Sequence, residues 1–247
     1  MPILVECWDF QEDGKNEYIG SIYSVGDILL NYDSDKKVPL YGFGAKPQMN
    51  YNPNNQTLHC FPINGNIQNA EVYGINGMME SYKQFLNHVE LSGPTLFNPL
   101  IQEAMNLITK NCKENNYKNY YILLLLTDGQ IQDMNLTVAS IVKASKLPLS
   151  IIIVGLGDED FTNMKILDGD QGLVDINGNV AERDLVQFVR FNKYKTNPAA
   201  LASKVLEELP DQVVDLFTLV DVHPNEVQLV QMNEIQNEKA PPPPLYY

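Results

Sequence analysis

Cysteine, histidine and tryptophan are scarce in this chain: three, three and one among 247 residues. Cys7, Cys60 and Cys112 form an odd set without CxxC spacing. They argue against a disulfide frame or a thiolate zinc site, and fit free thiols in a reducing compartment. His59, His88 and His223 show no ligand spacing and read as surface or packing residues. Basic residues are also in deficit, 17 against 31 acidic ones, for a formal charge of −14. That balance argues against nucleic acid and against unaided attraction to anionic lipid. It equally serves solubility, although a divalent cation reverses the local sign at one place.

Long apolar runs are missing too. None approaches the roughly 20 residues of a membrane span. The opening MPILVECWDF has neither a basic region nor a cleavage pattern, so no secretory signal is expected. No GxxxxGK[ST] cradle occurs, Gly155-x-Gly157 lacks the third glycine of a dinucleotide fingerprint, and no GxSxG elbow is found. Enzyme chemistry is therefore not expected.

What is present is organised around residues 120–134, YYILLLLTDGQIQDM. Tyr121 to Leu126 form an unbroken apolar run bounded by a turn, the pattern of a central parallel strand buried on both faces. It ends at Thr127-Asp128-Gly129. In an open α/β sheet, ligands bind at the carboxyl ends of strands, where Asp128 is expected. A carboxylate there is either a cap or turn former, or a contact to a metal or ligand.

Strands alternate with helical patterns elsewhere. Ile3 to Phe10 reads as a short strand, Ser21 to Asn31 as a helix, and Val38 to Ala45 as a second strand. Pro47 to Asn69 is rich in Asn and Pro, and reads as the least ordered internal stretch, with a weak strand over Thr57 to Ile63. Ile75, Met78, Met79, Tyr82, Phe85, Leu86 and Val89 keep helical spacing. A loop, LSGPTLFNP, leads to a helix capped near Asn98 with Pro99 at its first position. After the central strand comes a helix using Val138, Ile141, Val142 and Ser145, then the buried strand Leu149 to Val154. Leu185 to Phe191 supplies one more strand, and a final helix starts at Asn197-Pro198 and is interrupted at Pro210. This alternation implies βαβ units with right-handed crossovers. The chain closes on APPPPLYY, a polyproline-type segment.

Hard cations take oxygen ligands, and Mg²⁺ usually keeps several waters with one or two carboxylates. Thr95 stands in the loop before the Asn98 helix, and Asp128 at the end of the next strand. In a doubly wound sheet these two loops are expected side by side at one edge. For Thr95 the plain alternative is a turn hydroxyl.

The stretches SVGDILLNYDSDKKVPLYGFGAK, SGPTLFNP, YYILLLLTDGQIQDM, LPLSIIIVGLGDEDFTNMKILDGD, AERDLVQFV and LEELPDQVVDLF, in this order, resemble the carboxyl-terminal domain of the copines. Copines are cytosolic proteins that bind phospholipid in a calcium-dependent way, with two C2 domains followed by a von Willebrand factor A-like domain. The resemblance implies a Rossmann-like, doubly wound, mostly parallel sheet with helices on both faces. It also implies a metal-ion-dependent adhesion site, with Thr95 matching its second-loop threonine and Asp128 its third-loop aspartate. It divides the chain into a C2-like remnant over residues 1–20, the A-like domain over 21–223, and a flexible proline-rich tail over 224–247.

One departure stands out. The copine strand that ends in an Asp-Phe-Thr-x-Ser-Asn pattern is missing, and ILVECWDFQEDGKNEYIGS stands in its place. That segment resembles the late strand and calcium loop of a C2 domain, with Asp9 kept and with Gln11 and Glu17 replacing aspartates. Ile3 to Phe10 is itself a strand followed by a helix, so it is a candidate for the vacant central place. Asp9 would then stand at the first aspartate of the site, and Asp13 where a serine hydroxyl belongs. Glu6, on a strand meant to be buried on both faces, counts against this arrangement.

The resemblance thus implies a cytoplasmic protein, peripheral at the plasma membrane, that uses no enzyme chemistry. It would hold a divalent cation, Mg²⁺ or Ca²⁺, and bind a protein partner whose acidic side chain completes the coordination. Anionic phospholipid is a further partner through calcium, and nucleic acid is not. The alternatives are a ubiquitin ligase-type relative, which lacks RING cysteines here, and a truncated, metal-free scaffold.

Overall fold

The computed structural model describes residues 3–6, 16–115, 119–169 and 172–220, apart from the side chains of 3–6 and 113–115. Asp9, Asp13, His223 and the tail from residue 224 lie outside the described residues.

In chain order the strands are β1 (Ile3–Glu6), β2 (Lys37–Phe43), β3 (Ala45–Pro47), β4 (Phe61–Pro62), β5 (Glu71–Tyr73), β6 (Val89–Leu91), β7 (Tyr121–Thr127), β8 (Leu149–Gly155) and β9 (Val186–Arg190). The helices are α1 (Glu17–Leu30), α2 (Gly74–Leu86), α3 (Asn98–Asn115), α4 (Met134–Ala144), α5 (Thr162–Leu167), α6 (Pro198–Val205) and α7 (Leu209–Leu219). The main sheet runs β4-β2-β1-β7-β8-β9, with β5 added to β2, and β3 and β6 form a separate pair. Strands β2, β1, β7, β8 and β9 are mutually parallel, whereas β4 pairs antiparallel to β2. This is a doubly wound α/β sheet, in which the chain winds one way from β1 and the other way from β7.

Strand β1 occupies the middle of that sheet. Ile3, Leu4 and Val5 stand opposite Leu40, Tyr41 and Gly42 on one side and Leu124, Leu125 and Leu126 on the other. Glu6 pairs with Phe43 at the carboxyl end. The topological switch point therefore lies between β1 and β7, at the end of the sheet where Thr127 leads into Asp128.

Alternation along the strands builds two cores. Leu124, Leu126, Ile152 and Val154 pack with Ile22, Val25 and Leu29 of α1, Met78, Tyr82 and Phe85 of α2, and Leu201 and Val205 of α6. Leu123, Leu125, Ile151 and Ile153 face the other way, onto Leu100, Ile101, Ala104 and Ile108 of α3, Ile141 of α4 and Met164 of α5. A strand with helices on both faces can be apolar at every position, which is why β7 and β8 read as continuous runs. The edge strand β9 is blunted by acidic side chains. Phe188 N–H donates to Asp168 Oδ1 at 2.6 Å and Val186 N–H to Asp184 Oδ1 at 3.2 Å, so these amides are closed to another strand.

Residues 47–69 correct an expectation. Read as the least ordered internal stretch, they are fastened by their own asparagines. Asn52, 8% exposed, donates to the carbonyls of Pro47 and Gln56 and accepts the Gln56 N–H at 3.0 Å. Asn64 and Asn66 do the same for the next turn. Side-chain amides stand in for backbone partners in such loops. The segment then delivers Phe61 and Ile63 to the core, each 2% exposed, and β4 falls within the weak strand expected over Thr57 to Ile63. Pro210 marks a beginning as well as a break, since it lies in the first turn of α7.

Candidate functional site

Two loops meet at the carboxyl edge of the sheet. The first, Ser92 to Phe97, joins β6 to α3 and contains a cis Gly93–Pro94 peptide. Phe97 anchors it: fully buried, its ring meets that of Phe43 edge-on with centroids 5.9 Å apart. Ser92 and Thr57 join their hydroxyls at 2.6 Å. The second loop, Asp128 to Asp133, joins β7 to α4. Its start is set by Thr127, which is fully buried and accepts the Leu156 N–H at 2.8 Å through its carbonyl.

The loops are bonded to each other through Thr95 and Gln132. Thr95 N–H donates to Gln132 Oε1 at 2.7 Å, and Gln132 N–H donates to the Thr95 carbonyl at 3.0 Å. The loops that carry Thr95 and Asp128 are therefore joined by specific bonds, and both residues are half-buried.

Asp133 completes the join. It immediately precedes α4, but its carboxylate serves the neighbouring helix. Oδ1 accepts the Phe97 N–H at 3.1 Å and Oδ2 the Asn98 N–H at 2.8 Å. These amides open α3 and have no partner within the helix. Oδ1 also accepts the Thr137 hydroxyl at 3.2 Å. Asn98 in turn accepts the Ser140 hydroxyl at 2.7 Å, so α3 and α4 are tied at their starts. Sequence reading missed Asp133 and Gln132. An aspartate before a helix announces a cap, but nothing in the spacing says that it caps another helix.

His59 borders the same loop. Burial lowers the pKa of its imidazole, against the nearby Asp133 charge and a hydrogen bond to the Pro94 carbonyl, which both raise it. Its buried Nδ1 has no hydrogen-bond partner among the described residues. His88 closes the α2 region, where its N–H donates to the Phe85 carbonyl at 2.8 Å.

Glu17, read from the sequence as standing in a weakened calcium loop, is engaged otherwise. It begins α1 and accepts from Gly157 N–H and Lys195 Nζ. Among the described residues no group of three or more His, Cys, Asp and Glu side chains is placed to hold a metal. Thr95 and Asp128, the two described candidates, carry a hydroxyl and a carboxylate, hard oxygens of the kind that Mg²⁺ takes alongside water. Asp9 and Asp13 follow β1 in sequence and lie outside the described residues.

A family profile described as Copine matches residues 9–225. The chain belongs to the copine family. It is 42% identical over 234 residues to Copine-C of Dictyostelium discoideum, covering 94% of this chain and 41% of that protein. To Protein BONZAI 1 of Arabidopsis thaliana it is 41% identical over 211 residues, covering 85% of this chain and 36% of that protein. The chain thus spans about two fifths of the length of the curated copines it matches.

Among solved structures, a von Willebrand factor type A protein from Catenulispora acidiphila is similar at TM-score 0.43 and 14% identity, over 87% of this chain and 42% of that one. The manganese-loaded Plasmodium vivax TRAP protein is similar at TM-score 0.42 and 14% identity, over 82% and 71%. These are likenesses of fold. The doubly wound sheet of this copine rests on its own strand order. No helix among the described residues is long and apolar enough to cross a membrane.

Proposed function

We propose that this copine chain is a non-enzymatic, cation-dependent protein-interaction module. The Thr95 hydroxyl and the Asp128 carboxylate would hold a divalent cation, Mg²⁺ or Ca²⁺, and an acidic side chain of a protein partner would complete its coordination. Asp9 and Asp13, carried by the segment after β1, are the further candidate ligands. The observation that supports this reading is the reciprocal pair of hydrogen bonds between Thr95 and Gln132. It fixes the hydroxyl-bearing loop beside the carboxylate-bearing loop, at the switch point where open α/β sheets bind ligands. The bound cation would supply Lewis acidity toward a partner carboxylate, while the protein supplies two loops fixed before binding.

Calcium-dependent association with anionic phospholipid, at the cytoplasmic face of the plasma membrane, belongs to the same proposal at the level of the family. With a charge of −14, attraction of this chain to an anionic surface would require a bridging cation. The test is a thermal melt in EDTA, Mg²⁺, Mn²⁺ and Ca²⁺ with Asp128→Ala alongside, since a ligand that binds only the native state raises the midpoint. We expect the wild-type midpoint to rise with at least one cation and that of Asp128→Ala to stay level. A wild-type midpoint indifferent to all three cations would leave a metal-free scaffold. Sedimentation with phosphatidylserine vesicles, with and without Ca²⁺, tests the lipid arm separately.

A further inference from the structure

We propose that Asp133 is the positioning residue of the candidate cation site, acting with Gln132 to set the separation between the Thr95 and Asp128 loops. The inference rests on the cation-binding reading above and extends it to residues that do not themselves touch the ion. Two independent sets of bonds converge on this role. Asp133 holds the first two amides of the α3 region through both carboxylate oxygens, at 3.1 and 2.8 Å. Gln132, one residue earlier, clamps Thr95 through its side chain and its backbone. The chain from Asp128 to Asp133 is therefore attached to the Thr95–Asn98 segment at its far end while β7 fixes its near end.

The chemistry explains why a carboxylate is used. The amides of Phe97 and Asn98 need an acceptor, and an ionised one bonds more strongly than a neutral one. One side chain that accepts two successive amides also fixes the direction in which the loop enters the helix, and Thr95 lies two residues upstream of the first of these amides. An asparagine at 133 would keep the size and one acceptor oxygen but lose the second acceptor and the charge. The Thr95 segment would then be held to the Asp128 loop by fewer bonds, although neither candidate ligand is altered.

The experiment measures the Mn²⁺ dissociation constant by titration calorimetry for wild type, Asp133→Asn, Gln132→Ala and Asp128→Ala, each with a melt in EDTA. We expect Asp133→Asn to weaken Mn²⁺ by roughly 10- to 100-fold, the range over which outer-shell partners tune metal sites. Gln132→Ala should weaken it less, with an unchanged EDTA melt, because its side chain is exposed and caps no helix. Mn²⁺ affinity unchanged in both variants, even with a lower EDTA melt for Asp133→Asn, would make Asp133 a helix cap only and overturn the inference while leaving the cation site standing. If Asp133→Asn fails to fold, Gln132→Ala decides: weakened affinity sustains the latch and unchanged affinity overturns it. A wild-type protein that takes up no Mn²⁺ would overturn both the inference and the reading beneath it.

Discussion

Glu17 and Gly157 are 140 residues apart in sequence, and the Gly157 N–H donates to Glu17 Oε2 at 2.8 Å. The other oxygen, Oε1, accepts from Lys195 Nζ at 2.9 Å. One carboxylate at the start of α1 thus ties down the loops after β8 and β9. Gly157 has φ +74, a conformation that glycine adopts without the Cβ penalty, and this directs its amide to Glu17. Glu17→Ala should lower unfolding stability by about 1.5–3 kcal/mol, as for hydrogen bonds to a charged group. Lys195→Ala should cost less than about 1 kcal/mol because that pair is partly solvated. Urea unfolding of the two variants reads both, and an equal loss would show that the amide contact contributes little.

Arg183 is 7% exposed and donates to backbone carbonyls. Its Nη2 reaches Leu149 at 2.6 Å and Leu147 at 2.8 Å, and its Nη1 reaches Asp184 at 3.0 Å and Gln212 at 3.4 Å. The guanidinium joins α7 to the amino end of β8. Replacing it by methionine keeps much of the apolar stem but leaves buried acceptors unpaired, each costing about 1–3 kcal/mol. We expect Arg183→Met to lose at least about 2 kcal/mol on that basis. A melting midpoint unchanged from wild type would mean that water replaces the guanidinium at no cost.

Gly155 ends β8 where two rings close over the strand. A Cβ placed there would come within 2.7 Å of Phe161 Cε1 and 2.9 Å of Phe188 Cε2. Neither ring is free to retreat, since the two are tilted against each other at 5.3 Å and Arg190 lies over Phe161 at 5.2 Å. Gly155→Ala should destabilise by about 1–3 kcal/mol, the usual cost of overpacking. Gly155→Ala with Phe161→Leu should recover part of that loss, which a pair of chemical denaturation curves would register.

The His59 imidazole gives the protein a pH-dependent component near neutrality. Burial lowers its pKa below the ordinary 6.5. Below pH 6.5 the unfolded chain takes up a proton that the folded site refuses, so the unfolded state binds more protons and stability falls with pH. The loss should run from about pH 6.5 down to the lowered folded value. Asp160 and Asp175, with carboxyls lowered from an ordinary 3.8 by hydrogen bonds, act only in more acid solution. His59→Gln, neutral throughout, should flatten the upper limb of a midpoint-against-pH plot. Persistence of the slope in that variant would assign it to another group.

Where a single local rule dominates, sequence and structure agree. Tyr121 to Leu126 and Leu149 to Val154 have the pattern of strands covered on both faces, and both are such strands. The α1, α2, α3 and α4 segments announced themselves by apolar spacing and, for α3, by Asn98-Pro99. Residues 47–69 were misjudged because an asparagine is a loop former by composition, while its hydrogen bonds depend on which carbonyls the loop brings within reach. Glu17 was read through the pattern of a calcium loop, and its partners come from the far end of the chain.

The sequence by itself determined the doubly wound class, the copine relationship, and the placement of Thr95 and Asp128 on two loops at the same sheet edge. The class and the loop placement follow from period and run length, and the copine relationship from the resemblance of six segments in order, all of which are read along the chain. Only the tertiary structure decided that Ile3–Glu6 is the central strand, because a strand's neighbours are chosen by hydrogen-bond register across the sheet. It alone decided that Asp133 caps α3 and that Gln132 clamps Thr95. Those bonds span 35 to 37 residues, and a carboxylate's partner is fixed by which unpaired amide the packing of two helices brings to it.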